Sequence, residues 1–187
     1  MEKIILASGS PRRRQLLEQV GIPFEVVVSD ADETIEGPPD YQVRELALRK
    51  ARAGREMAGK EAIILAADTL VYIDNTVLGK PESPKEAYNM LKNLSGRTHT
   101  VYTGVAILNG NRTEAFVDST KVTFRDLSHD EIWGYISTGE PMDKAGAYGV
   151  QDKGALLVHS IDGDYFTVVG LPVAKVAAAL RAMGQEV

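Results

Sequence analysis

The amino-terminal segment restricts the fold more than any other part of the chain. Residues 3–7 form a short β-type run, and a helical pattern begins at Pro11. Ser10 stands where an N-cap is needed, Pro11 suits the first helical position, and Gly21 followed by Pro23 marks the exit. A second β-type run over 24–29 follows, so strand and helix alternate from the start. Further on, 41–58 reads as a second helix and the apolar run 62–67 as a buried strand. Residues 70–73 and 76–78 flank Asp74-Asn75 and predict a hairpin. Ser83-Pro84-Lys85-Glu86 combines a capping box with Pro at the first helical position, opening a helix to Leu94 that Gly96 ends. Two long strands, near 98–108 and 113–124, surround the turn Asn109-Gly110-Asn111. Ser128 and Glu131 form another capping box, 155–161 reads as a strand, and 172–183 as an Ala-rich helix. This mixture of βα alternation and hairpins predicts an α/β fold with a mixed β-sheet and flanking helices.

Composition narrows the chemistry. The 187 residues fit one domain, or two small lobes around one cleft. No repeat or low-complexity linker divides them, and Glu36-Gly37-Pro38-Pro39-Asp40 best suits a mobile loop. With 44% apolar and 25% charged residues the chain can build a sizeable core, which disfavours disorder. There are 21 Lys and Arg against 26 Asp and Glu, a net charge of −5. That balance argues against binding a nucleic-acid duplex, which needs a broad basic face, but leaves room for a small anion in a local basic pocket. The chain has no cysteine, which rules out disulfides, cysteine-based zinc sites and thiol nucleophiles. No apolar run reaches the roughly 20 residues of a membrane-spanning helix, and the apolar run that ends at Ser8 has only four residues, too few for a signal-peptide core. A soluble cytoplasmic protein without membrane contact is expected.

The segment Ala7-Ser8-Gly9-Ser10-Pro11-Arg12-Arg13-Arg14 carries the most chemical information. A helix start bears the positive end of the macrodipole, where acidic residues are stabilising and three arginines repel. An anion bound to the free backbone N–H groups reverses that conflict. Gly9 permits close backbone approach and Arg offers paired donors, so the segment is either a phosphate site or three solvated arginines. It is not a Walker loop, since no Gly-Lys-Ser or Gly-Lys-Thr follows.

In the second predicted helix Val43, Leu46, Ala47, Ala51 and Gly54 form an apolar stripe, and Lys50 falls inside it. Such a lysine either snorkels outward or has an anionic partner. Lys80, in Leu78-Gly79-Lys80-Pro81, is less constrained and is by itself a surface lysine. Asp68, in Ala66-Ala67-Asp68-Thr69, sits at the end of an apolar strand, where ligand sites gather in open α/β sheets, although it could simply cap a turn. Asp30, Asp32, Glu33 and Glu36 form an acidic cluster beyond the second strand that alone reads as a solvated loop. Together, these cations can hold a polyphosphate while the carboxylates hold Mg²⁺ or Mn²⁺ and orient water. That combination points to phosphoryl transfer or phosphoanhydride hydrolysis. His99, His129 and His159 lack metal-ligand spacing and read as structural, and Ser8 and Ser10 have no evident histidine base. In the carboxy-terminal half, the small-residue segment from Asp143 to Gln151 either forms a flexible connection or presents the Gln151 amide to a nucleobase edge.

Taken in order, these motifs resemble the Maf family of nucleoside triphosphate pyrophosphatases. The matching segments are Leu6-Ala7-Ser8-Gly9-Ser10-Pro11-Arg12-Arg13, Asp32-Glu33, Leu46-Ala47 with Lys50-Ala51, Ala66-Ala67-Asp68-Thr69 and Gly79-Lys80-Pro81. Thr138-Gly139-Glu140-Pro141, the run from Asp143 to Gln151 and Val168-Val169-Gly170-Leu171-Pro172 complete the series over nearly the whole chain. The resemblance implies a Maf/ITPase-like fold over residues 1–187 as a single domain, with two lobes around a central cleft. It implies cleavage of a nucleoside triphosphate to monophosphate and pyrophosphate with a divalent metal, Mg²⁺ or Mn²⁺, a cytoplasmic house-cleaning role, and a homodimer. Gly146-Ala147-Tyr148 leading to Gln151 looks like the dTTP/UTP branch. By the same resemblance Asp68 is the general base, and Glu33 with Asp68 approaches the metal. Ser8, Arg13, Lys50 and Lys80 hold phosphates, while Arg12, Thr69 and Gln151 tune substrate choice. One departure is visible: Asp152-Lys153 follows Gln151 where the family usually has Gly.

Two other classes remain open to the sequence. A non-catalytic nucleotide-binding regulator of cell division or septum formation would bind the same ligand without needing a base at Asp68. A nucleotidyltransferase would use a similar glycine loop but consume a second substrate.

Overall fold

The first strand, β1 (Ile4–Ala7), is buried along its whole length. It pairs in parallel on both sides, with β2 (Glu25–Val27) through Leu6 opposite Val26 and with β3 (Ile63–Ile73) through Ile5 opposite Ile64. A strand covered on both faces needs apolar side chains in both directions, which Ile-Ile-Leu-Ala supplies. Helix α1 (Pro11–Gln19) follows with its predicted cap, the Ser10 side chain accepting from the Arg13 N–H. Helix α2 (Pro39–Ala58) starts before the expected residue 41, inside the segment read as a mobile loop. Pro39 takes the first turn, where a missing N–H removes no intrahelical bond. The computed structural model describes residues 2–187.

β3 is one continuous strand where two were expected, so Asp68 lies within it rather than at an end. The β-favouring run Leu70-Val71-Tyr72-Ile73 continues the pleat past a polar pair that does not interrupt it. It turns into β4 (Thr76–Leu78) through Asp74 and Asn75, both at positive φ, as a tight hairpin requires. Helix α3 (Pro84–Leu94) has half of the expected box. Ser83 Oγ accepts from the Glu86 N–H at 3.1 Å, while Glu86 Oε2 takes the Glu82 N–H at 3.0 Å instead of that of Ser83. Strands β5 (Thr98–Asn109) and β6 (Arg112–Phe124) match expectation, and α4 (His129–Ile136) has its complete capping box. The strand expected at 155–161 begins only at Val158 as β7 (Val158–Asp162), because Asp152–Leu157 is a 3₁₀ turn. Its short apolar run does not distinguish strand from turn, and Leu156 points into solvent. Two helices close the chain, α5 (Tyr165–Val169) and α6 (Val173–Ala182).

The seven strands order as β2-β1-β3-β5-β6-β7, with β4 on β3. Pairing is parallel at β2-β1-β3 and antiparallel at β3/β4 and β6/β7, which makes the sheet mixed. The described chain gathers into two units. One comprises residues through Asp68 with Thr103–Asp118 and Gly170–Val187; the other comprises Thr69–Tyr102 and Ser119–Val169. In the first unit, α2 buries Ala47, Leu48 and Ala51 against Ile5, Ile64 and Ala106. Among the described residues no helix is long and apolar enough to cross a membrane.

The core of the second unit includes His99, which is 2% exposed. Its Nε2 pairs with the Tyr148 hydroxyl, and its ring meets Phe124 and Tyr148 edge-on at 5.1 and 5.3 Å. Burial drives the imidazole down to about 4, against about 6.5 in an unfolded chain. Between those values the unfolded chain holds a proton that the folded chain does not. The resulting stability is complete above the higher value and is lost as pH falls toward the lower, with a span of about 3 kcal/mol. In urea unfolding measured from pH 7 to 4, His99→Gln is expected to flatten the acid loss of stability relative to wild type. Parallel pH dependences in the two proteins would remove His99 as the source.

Candidate active site

Three segments of the first unit bring charged groups together. Helix α2 comes close to β1 at Gly54, where a Cβ would stand 2.7 Å from that of Ala7. Ala47 and Ala51, fully buried on the same helix, keep the contact thin. Lys50 is thereby held over β3, with Nζ 2.7 Å from Asp68 Oδ1 and 2.7 Å from Glu33 Oε1. The lysine in the apolar stripe therefore has anionic partners. The Lys50 and Asp68 side chains are 20% and 14% exposed, so their charge-assisted bond contributes on the order of 1.5–3 kcal/mol. The Glu33 side chain is 61% exposed, and its bond to the same ammonium adds less because water competes.

Glu33 sits in the connection between β2 and α2, which has no regular structure. Arg49 brackets it: Nη1 donates to the carbonyls of Asp32 at 3.2 Å and Thr34 at 2.8 Å. Asp32 Oδ1 accepts from the Thr34 N–H at 2.9 Å, a local turn that holds the Asp32 carboxyl below its usual range. The acidic loop is thus shaped on both sides of Glu33.

The helix start contributes two buried polar side chains, Ser8 and Arg13. Arg13 Nε donates to the Gly170 carbonyl at 2.8 Å and Nη1 donates to Ser8 Oγ at 3.2 Å. Ser8 Oγ also accepts from the Ser10 N–H at 3.1 Å. Gly170 has φ of 127°, a conformation suited to glycine, where its carbonyl meets the guanidinium. Burial lowers Arg13 to about 10, opposed by Asp68 and Glu33 and reinforced by Arg12. It stays charged at neutral pH. Arg13 is therefore no solvated surface arginine, and Arg12 beside it is half-buried. The first turn of α1 contains no acidic residue, which leaves its positive end uncompensated by its own side chains.

In the chain, Thr69 follows Asp68 directly in β3, and it belongs to the second unit together with Lys80 and Gln151. There the Gly146 N–H donates to the Gly79 carbonyl at 3.1 Å, tying the Gly79-Lys80-Pro81 segment to the turn Ala145–Ala147 that leads to Gln151. Lys80 is exposed and Gln151 half-buried. Asp152, the departure from the family pattern, takes φ of 52°. A glycine fits that geometry without strain, and Asp is among the few other residues that tolerate it.

The donor set suits a hard divalent cation. Glu33 and Asp68 offer carboxylate oxygens that already converge on one ammonium, so the place accepts positive charge. Among the described residues no cluster of three acidic or histidine side chains forms a full cage. Two carboxylates completed by water and substrate phosphate oxygens is the usual Mg²⁺ arrangement, which these residues fit.

Two groups of the site carry no expectation from the sequence: Arg49, and the Gly170 carbonyl, which lies in one of the segments matched to the family. Glycine immediately before Leu-Pro was the available signal for the second.

A sequence model of the family described as Maf-like protein matches residues 3–183. A dTTP/UTP pyrophosphatase of Bacillus cytotoxicus is 53% identical over 184 residues, covering 97% of this chain and 95% of that protein. One of Bacillus cereus is 50% identical over 190 residues, covering 100% and 93%. Among solved structures, the Ham1 protein of Staphylococcus aureus superposes with a TM-score of 0.56 at 13% identity, covering 97% of this chain and 100% of that one. The last likeness concerns the fold alone.

The turn after Gln151 yields a stability test. Asp152→Gly should lie within about 1 kcal/mol of wild type, because strain relief offsets the larger unfolded-state entropy of glycine. Asp152→Val should fall about 1–2 kcal/mol below the glycine variant, the cost of a left-handed backbone for a branched side chain. Equal melting curves for the two variants would contradict a strained Asp152.

Proposed function

The chain belongs to the Maf family, and from that premise we propose that it hydrolyses dTTP and UTP, and related pyrimidine nucleoside triphosphates, to the monophosphate and pyrophosphate. The match over 3–183 supports reading the chain as one such catalytic domain. The observation that carries the mechanism is the Asp68–Lys50–Glu33 cluster beside the buried Arg13. Binding alone does not require a carboxylate there, and the comparisons lend the regulatory reading no support.

In the reaction, water attacks the α-phosphorus, a new P–O bond forms, and the bond to the bridging oxygen breaks. Pyrophosphate leaves with that electron pair. Asp68 accepts the water proton, its carboxylate held in place by β3 and by the Lys50 bond. Ser8, Arg12, Arg13 and Lys50 present positive charge and hydrogen bonds to phosphate oxygens, and Lys80 has the same role. Glu33 and Asp68 would hold Mg²⁺ or Mn²⁺, which supplies neutralisation of the anionic oxygens when bound. Arg12, Thr69 and Gln151 govern which nucleotide is accepted.

The test is product analysis on a panel of triphosphates with and without Mg²⁺ or Mn²⁺. Monophosphate plus pyrophosphate is expected, with dTTP and UTP turned over fastest. Diphosphate plus orthophosphate would contradict cleavage between the α- and β-phosphates. Asp68→Asn should retain nucleotide binding and lose at least about 100-fold in turnover, the lower end for removing a general base. Near-wild-type turnover would exclude Asp68 from that role.

A further inference from the structure

We propose that Glu140 is a positioning residue for nucleobase choice, acting through Gln151, whose main chain it fastens together with Tyr135. The inference rests on the reading that Gln151 faces the base. Gln151 is half-buried and sits at the head of the turn Asp152–Leu157, so the direction of its amide follows the main chain around it.

Two side chains from the segment α4 to Glu140–Asp143 hold that main chain on either side of Gln151. Before it, the Gly149 N–H donates to the Tyr135 hydroxyl at 3.2 Å. After it, the Lys153 N–H donates to Glu140 Oε1 at 3.2 Å. A third side chain braces the pair: Lys144 Nζ donates to the Glu140 carbonyl at 2.7 Å. The Lys144 stem also covers Gly149, where a Cβ would stand 2.9 Å from Lys144 Cε.

The loop is closed on itself as well. A Cβ on Gly154 would lie 1.7 Å from the Gly149 carbonyl oxygen and 3.0 Å from the Tyr135 hydroxyl. Residues 149–154 therefore form a ring fastened at both ends, with Gln151 inside it. Asp152 is in the ring at φ 52°, a conformation an aspartate leaves readily unless its neighbours hold it. The bond from Lys153 N to Glu140 holds the residue immediately after that strained position. Losing it frees the strained turn to relax, which rotates the residue before it. A base-reading amide loses its selectivity when its donor and acceptor are rotated out of register.

The experiment measures kcat and KM for dTTP and UTP and for a purine triphosphate in Glu140→Ala, Glu140→Gln, Tyr135→Phe, Gln151→Ala and the Glu140→Ala/Gln151→Ala double variant. Dissociation constants for the α,β-methylene analogues are measured alongside, so selectivity is read even without turnover. Glu140→Ala should lower the pyrimidine-over-purine ratio by about 10-fold or more, mainly through KM, the scale of lost base-reading hydrogen bonds. Glu140→Gln keeps the Oε1 acceptor and should restore the ratio. Glu140→Ala should have no further effect on the ratio in the Gln151→Ala background, since both changes remove one interaction. If Glu140→Ala fails to fold, Tyr135→Phe should lower the ratio in its place. An unchanged ratio, absence of rescue by Gln, or additive losses in the double variant would each overturn the inference. A wild-type chain that binds the analogues selectively but releases no pyrophosphate would instead overturn the proposed reaction, leaving the inference to stand or fall on the analogue affinities.

Discussion

The close approach of α2 to β1 is the constraint on which the charged cluster depends. At Gly54 the helix lies where a single methyl group would meet Ala7 at 2.7 Å, and a packed core has no slack to absorb it. The small face of Ala47, Ala51 and Gly54 sets the depth of the helix over the sheet. Lys50, one position from Ala51, takes its reach from that depth and ends within hydrogen-bond distance of Asp68. An apolar stripe and an ionic contact are thus two faces of one packing decision.

Charge placement, rather than charge total, explains how a chain of net −5 can take a triphosphate. Arg13 is buried and charged, and it donates to the Ser8 hydroxyl and the Gly170 carbonyl. Asp68 and Glu33 oppose the effect of burial on it and help to keep it charged. Side chains of both signs thus stand close together, as the proposed reaction requires: cations for anionic oxygens and a carboxylate for the water proton. A uniformly basic pocket would bind the substrate but would leave the water proton without an acceptor.

Much of this was legible in the sequence because it rests on local chemistry. Ser10-Pro11 and Ser128 with Glu131 announced helix starts and Asp74-Asn75 a tight hairpin, while Lys50 within an apolar stripe posed a choice between snorkelling and an ionic partner that the fold decides. The misreadings share a cause. Asp68 looked like the end of a strand because a polar residue ends most apolar runs, yet β3 runs on past it into the hairpin with β4. Residues 155–157 looked extended because their apolarity was visible, while the close approach of the preceding Gly154 to Gly149 was not. Arg49 and the Gly170 carbonyl escaped notice for the same reason: each contact involves a backbone atom far along the chain, and backbone partners leave no mark in composition or spacing.

The position of Asp68 inside a continuous strand separates the two carboxylates in the timing of their order. Asp68 is fixed when β3 forms and Lys50 closes on it, so its conformational freedom is surrendered during folding. Glu33 has its backbone bracketed by Arg49 but its side chain largely in water. Holding such a side chain in one place costs up to about 2 kcal/mol of rotamer freedom, which its bond to Lys50 works against. One carboxylate is a standing part of the sheet, and the other is held by an ion pair that water can reach.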